Sequence, residues 1–345
     1  MIAGRIKAYP LFILMVLPLI AAVAVACGGG NRPGGTSPQS LTIYSGRSES
    51  LVEPIIRQFG QATGIQILVK YASTSQLAAS LLEEGGNTPA DIFFAQDPGG
   101  LSAVVHMLSP LPEDLLNLVP DWARSPTGQW VGISGRARTV VYNTERLTEA
   151  DLPDDIYDFI DSKWKGRIGW APGNASFQTM VTAMRTLWGE DKTRLWLDGI
   201  LANSPLLYPK NTPIVAATAA GEIDVGFVNH YYLHRFLAEE GESFEARNYH
   251  LRAGGPGATI MVAGAGILEV SDSKDPARRF LEFMLSTVGQ QYFSGQTFEY
   301  PLVDGVNTPH VLVPLSEINR PSITPQDLSG LRATQDLLRK AGAIP

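Results

Sequence analysis

From residue 41 onward, short apolar runs alternate with longer stretches whose apolar residues recur three and four positions apart. Residues 41–44 read as a strand, and residues 45–49 (SGRSE) as a turn. Leu51, Val52, Ile55, Ile56 and Phe59 then keep helical spacing within residues 50–63, and Gly64 supplies a stop. A second strand is predicted over 65–69. A second helix follows over 75–85, with Leu77, Ala78, Leu81 and Leu82 on one side. A third strand, 91–95, ends in Gln96-Asp97-Pro98-Gly99, and 100–107 reads as helical. This β-α-β-α-β order predicts a parallel sheet with right-handed crossovers.

A Pro- and Trp-bearing stretch (110–130) precedes a longer strand, 132–142, long enough to pass from one domain to another. A second alternating set follows: strand 167–171, loop 172–175, helices 176–188 and 192–202, strand 206–208 and helix 214–220. Strand 223–228 ends at Asn229, and a helix starts at once over 231–240. A strand-like return is expected over 258–263, then helices over 276–285, 288–293 and about 324–341. Two α/β units joined by crossing strands near Arg136 and Val262 predict a two-lobed protein with a ligand cleft and natural hinges. The expected first lobe is 41–135 plus 262–306. The second is 136–261 plus 307–345.

Composition changes this picture at one end only. Of 345 residues, 44% are hydrophobic and 18% charged, with a net charge of −7, which is a globular composition. The acidic balance argues against a nucleic-acid partner. Residues 1–7 carry Arg5 and Lys7 with no acid, residues 8–26 are uncharged and mostly apolar, and Ala24-Val25-Ala26 precedes the single cysteine, Cys27. That layout predicts a secretory signal over 1–27 and resembles a bacterial lipobox, in which Cys27 would be lipidated. The exported chain would be anchored at the outer face of the cytoplasmic membrane, or periplasmic. Residues 28–40, rich in Gly, Pro and polar residues, read as a flexible linker. With Cys27 consumed, no disulfide, zinc-thiolate site or cysteine nucleophile is expected in the folded part.

Candidate chemistry clusters at strand ends. Ser45-Gly46-Arg47-Ser48-Glu49, Gln96-Asp97, Tyr142-Asn143, Gly173-Asn174-Ala175-Ser176 and Asn229-His230-Tyr231-Tyr232 each follow an expected strand. In α/β sheets such carboxyl ends face the ligand cleft. Two adjacent tyrosines by themselves fill a core. Beside Tyr142 and the other strand ends they suggest a ligand site. A phenol is neutral by default, and a strong cation beside it favours the phenolate, a hard oxygen suited to Fe(III). Calcium would want an Asp-rich loop, and zinc more His and Cys than the chain offers. His230, His234 and His250 form no convincing metal pattern, and His106 and His310 look incidental. Three phenolates would neutralise Fe(III) and leave positions for an anion such as carbonate. Arg47 and Arg138 (or Arg136) offer paired hydrogen bonds to an oxyanion, and the Asn174–Ser176 turn offers N–H groups at a helix start.

These residues carry a resemblance. Tyr44-Ser45-Gly46-Arg47, Ala90-Asp91-Ile92-Phe93-Phe94, Gly135-Arg136-Ala137-Arg138, Val141-Tyr142-Asn143, Trp170-Ala171-Pro172 and above all Asn229-His230-Tyr231-Tyr232 make the chain similar to the periplasmic ferric-iron-binding proteins of ABC importers. The resemblance runs from residue 41 to the end. It implies a type II periplasmic-binding-protein fold, α/β with two mixed-sheet domains, and it matches Tyr231 and Tyr232 to the family's paired iron-ligating tyrosines. In one branch a third tyrosine follows a Val-rich strand, and Tyr142 matches it. Other members use a His, or a His-Tyr pair, where this chain has Ser48-Glu49, and some use a Glu where it has Gln96. The departures point to the three-tyrosine branch, with a synergistic anion such as carbonate held by Arg47, Arg138, Asn174 and Ser176. Ser48, Glu49, Gln96, Asp97 and Asn229 are further cleft candidates, Glu49 and Asp97 as substitute ligands. The implied protein is a monomeric substrate-binding component that captures Fe(III) and delivers it to an ABC permease and its ATPase.

Two other readings stay open on the residues alone. The same fold with Arg47, Arg138 and the Asn174 turn would suit an oxyanion, a phosphonate or a polyamine without iron. An enzyme is disfavoured, since no Gly-x-Ser-x-Gly elbow, nucleotide-binding glycine loop or His-Glu-x-x-His helix occurs.

Overall fold

A computed structural model describes residues 39–345. The expected signal (1–27) and nearly all of the linker (28–40) lie outside the described residues. The chain opens with β1 (Ser40–Ser45), α1 (Glu49–Thr63), β2 (Gln66–Tyr71), α2 (Thr74–Glu84), β3 (Ile92–Ala95) and α3 (Pro98–Ala103). The α1 positions expected to be apolar are its buried face, and Gly64 closes it in the left-handed region at φ 72°. Helix α2 starts in a capping box, in which Ser73 and Gln76 each bond the other's backbone N–H. Strand β1 pairs in parallel with both β2 and β3.

After the short helix α4 (Glu113–Leu116) comes β4 (Val131–Asn143), buried along its whole length. The second set comprises β5 (Ile168–Trp170), α5 (Ala175–Trp188), α6 (Glu190–Ala202), β6 (Leu206–Leu207), α7 (Asn211–Ala219), β7 (Val225–Asn229) and α8 (Tyr231–Glu240). Strands β8 (Ala246–Tyr249) and β9 (Ile260–Ile267) follow, then α9 (Lys274–Leu285), α10 (Thr287–Gln296) and α11 (Leu331–Ala341). The strands form one mixed path, β2-β1-β3-β9-β4-β7-β5-β6, with β8 beside β4.

Strand β4 joins the two sets. Its first part, to Ala137, pairs antiparallel with β9, and its second part, from Arg138, pairs antiparallel with β7 and β8. Val262 lies within β9 opposite Gly135, and the chain travels from β8 to β9 through a loop containing the turn Pro256–Ala258. The second set has its own aromatic core, where Trp164, Trp170, Phe177, Trp196 and Phe227 are all buried.

The sheet is mixed, as expected: β1, β2 and β3 pair in parallel, and β9 and β4 enter antiparallel. Two local expectations are corrected. Strand β8 has no sequence counterpart, since its interior, Arg247-Asn248, is polar and breaks any apolar alternation. The last helix begins at Leu331 and not near Thr324. Residues 324–330 instead make a short 3-10 turn around Pro325, stopped at Ser329-Gly330.

Candidate functional site

The junction of β7 and α8 sets the site. Asn229 ends β7 opposite Arg138, and Tyr231 opens α8 two residues later. The bend lets both tyrosines face one place: their rings stack 4.2 Å apart at 28°, and Tyr231 and Tyr232 are 1% and 7% exposed. Burial pushes the Tyr231 phenol well above its ordinary value; Tyr232 adds to this, while Arg47 opposes it.

Three buried arginines converge on the pair. Arg47 sits in the β1–α1 turn, where Gly46 packs against Thr74 so closely that a Cβ would lie 2.2 Å from its hydroxyl. Its Nη2 pairs with the fully buried Glu299, whose other oxygen accepts the Ser134 hydroxyl. Arg136 and Arg138 leave the same face of β4, two residues apart. Arg138 Nη1 donates to Asn229 Oδ1 at 3.0 Å and to Ser176 Oγ at 3.5 Å. Asn174 caps α5, and its Oδ1 accepts both the N–H of Ser176 (3.0 Å) and its hydroxyl (2.6 Å). Asn211 reaches the same hydroxyl at 3.4 Å.

Much of this donor set points at nothing in the protein. Nε and Nη1 of Arg47, all three guanidinium nitrogens of Arg136, Nε and Nη2 of Arg138 and Nδ2 of Asn229 are buried without a hydrogen-bond partner. Orphaned buried donors are costly, and charged ones more so. Burial pulls Arg136 and Arg138 below the ordinary guanidinium range, Arg138 to about 9; Arg47 pulls Arg136 further the same way, and Tyr232 opposes the shift on Arg138. For Arg47 burial also works against the charge, but Glu299 and the two tyrosine oxygens together outweigh it and its pKa rises. The arrangement is a cradle for an anion beside two oxygens suited to a hard cation.

The other expected residues divide. Arg47, Arg138, Asn174, Ser176, Asn229, Tyr231 and Tyr232 are brought together. Asp97 is buried 1% exposed beside Arg136; its Oδ1 caps α3 at Gly100 (3.0 Å), its Oδ2 has no partner, and burial raises its pKa against those backbone bonds. Gln96 is half-buried with its amide nitrogen unpartnered. Ser48 and Glu49 are exposed, Glu49 lying toward Tyr71 and not in the cradle, so neither joins the site. Tyr142 is also a correction. It pairs with Val225 and Arg247, four residues beyond Arg138 on a strand running away from Asn229. At about 3.3 Å per residue that is roughly 13 Å along the strand, and Tyr142 lines a separate recess with Glu149, His234 and His250. Glu299, Ser134 and Asn211 were not expected. Asn211 lies ahead of the helix expected over 214–220, and no local pattern marks the other two.

Behind the tyrosines lie three histidines. His230 accepts the Ala137 N–H at Nδ1 (3.1 Å) and donates Nε2–H to the Phe298 carbonyl (2.9 Å), which fixes it neutral. Burial lowers all three, His230 well below its ordinary value and His234 and His250 to about 4. Because the folded values lie below the unfolded one near 6.5, this stability is whole above about pH 6.5. It is lost as pH falls toward 4, at about 1.4 kcal/mol per pH unit for each histidine. Melting temperature measured from pH 7.5 to 4 should therefore fall steeply below 6.5, and His250→Gln should flatten the slope by one proton. Among the described residues no group of three or more His, Cys, Asp or Glu could hold a metal.

Known proteins resemble this chain along most of its length. A family model described as bacterial extracellular solute-binding protein matches residues 87–328. The major ferric iron-binding protein of Neisseria meningitidis serogroup A is 34% identical over 310 residues, covering 88% of this chain and 92% of that protein. Iron uptake protein A2 of Synechocystis is 33% identical over 297 residues, 82% of this chain and 84% of that one. The crystal structure of iron-bound HitA from Pseudomonas aeruginosa superposes with a TM-score of 0.85 at 32% identity, covering 88% of this chain and 100% of that one.

Proposed function

Because this chain belongs to the bacterial extracellular solute-binding protein family, a class of transport components and not of enzymes, we propose that its solute is Fe(III), taken up together with an oxyanion. Its fold is that of the type II periplasmic binding proteins. The observation that carries the proposal is the stacked, buried pair Tyr231 and Tyr232 facing the orphaned donors of Arg47, Arg136 and Arg138. The names of the relatives support the same cargo.

In this reading the two phenols bind Fe(III) as phenolates, each releasing a proton. Fe(III) with two phenolates keeps one positive charge, and the three guanidinium groups add to it. A divalent oxyanion such as carbonate offsets part of that charge and takes remaining coordination positions. Arg136 and Arg138 face it, and Asn229, Asn211 and the Asn174–Ser176 turn complete its shell. Asp97, with one oxygen unpartnered, is the carboxylate placed to assist.

The lobes 41–135 plus 262–306 and 136–261 plus 307–345 would hinge where β4 changes partners between Ala137 and Arg138. Opening there exposes the cargo to an ABC permease served by its ATPase. The chain is exported, held to the membrane through lipidated Cys27, and works as a monomer.

Adding Fe(III) to metal-free protein in bicarbonate should give a red-orange protein with a visible phenolate-to-iron charge-transfer band. An iron-loaded protein without that band, or one that binds phosphonates or polyamines tightly and iron weakly, would overturn the reading.

A further inference from the structure

We infer that Glu299 is the positioning residue of the anion cradle: it holds the Arg47 guanidinium so that its remaining donors face the bound oxyanion. The inference rests on the reading of the site as an anion-assisted iron site. Nothing about an anion requires a buried carboxylate nearby; like charge there works against binding. Yet Glu299 is fully buried, and each of its oxygens is committed, one to Arg47 and one to the Ser134 hydroxyl. A guanidinium is a rigid planar fork, so gripping Nη2 sets the plane in which Nε–H and Nη1–H point. Those are the two Arg47 nitrogens left buried without a partner.

The backbone around Glu299 is built to deliver it. Phe298 sits at φ 57°, a left-handed conformation that an aromatic residue adopts only when its surroundings enforce it. The enforcing contacts are visible. Glu299 N–H bonds the Phe293 carbonyl at 2.9 Å, and Tyr300 exchanges two backbone bonds with Gly135, at 2.8 and 2.9 Å. The Phe298 carbonyl accepts from His230, and the Tyr300 ring stacks on that imidazole at 4.6 Å. The three residues 298–300 therefore touch Arg47 on one side and the residue preceding Tyr231 on the other. Strain is kept in a segment that links the anion's arginine to the tyrosine-bearing helix.

A charge-only role and a positioning role predict opposite effects, and inorganic phosphate titrated calorimetrically into metal-free full-length protein separates them. Glu299→Gln keeps a carbonyl for Arg47 and an amide for Ser134, so phosphate should bind within about threefold of wild type or tighter. Glu299→Asp keeps the charge but is too short to reach both partners, and should bind about tenfold more weakly, the scale of one charge-assisted hydrogen bond. Glu299→Ala should also lose about tenfold despite removing a negative charge. Melting curves identify any variant that does not fold, and the Gln–Asp contrast stands without Ala. If Asp binds like wild type, or Gln and Asp lose affinity equally, the inference is wrong. If wild type itself takes no phosphate, the cradle reading fails with it; if wild type binds and the variants do not differ, only the role of Glu299 fails.

Discussion

Replacing Tyr231 and Tyr232 together by phenylalanine should abolish the visible band and nearly all high-affinity iron uptake. Phenylalanine keeps the stacked rings and their burial, so the change is confined to two oxygens. Taking away one partner of a buried charge pair costs about 3–5 kcal/mol, or roughly two to three and a half powers of ten in affinity. Each single variant should lose about that much, and the double variant should show no specific binding in a competition titration against citrate. Thermal stability without iron should stay near wild type, because burial already holds Tyr231 in its neutral form. Tyr142→Phe is the control. Its distance from the cradle means both the band and the affinity should persist. Loss of the band in Tyr142→Phe, or its survival in the double variant, would move the metal elsewhere.

The control also shows where reading from residues stops. The β7–α8 junction was legible because everything it needs is local: a strand pattern, a polar residue and two tyrosines opening a helix whose bounds are those expected. Arg47, Asn174 and Ser176 were legible for the same reason: Arg47 and Asn174 lie between a strand and a helix, and Ser176 in the first turn of the helix that Asn174 caps. Tyr142 looked equivalent, at the end of a Val-rich strand. The rule that carboxyl ends face the cleft holds among parallel strands, and β4 runs antiparallel to β7. One strand arrives at the site while the other leaves it. Ser48 and Glu49 failed by a smaller margin, since of residues 47–49 only Arg47 is buried. Glu299 could not be found locally at all. Its partners lie 252 and 165 positions away in the chain, and a single acid between Phe298 and Tyr300 has no periodicity to betray it.

Arg136 provides the second large effect, and it acts in two directions at once. Its side chain is 0% exposed, none of its three guanidinium nitrogens has a partner, and Arg47 lies close enough to repel it. A buried, unpaired cation weakens the fold that holds it, and replacing buried ionic groups by apolar ones of similar volume is often stabilising by about 1–4 kcal/mol. Arg136→Met should therefore raise the melting temperature of the metal- and anion-free protein. The same substitution removes the cradle's largest set of unused donors. Phosphate affinity in metal-free protein should fall by about 3–5 kcal/mol, at least a hundredfold, and carbonate-dependent iron retention should fall with it. Arg57→Met, on the exposed face of α1, should change neither quantity. A fold made more stable by losing a residue that its ligand needs is the signature of a site that trades stability for binding. A less stable Arg136→Met protein with unchanged anion affinity would instead make this arginine a structural element of β4.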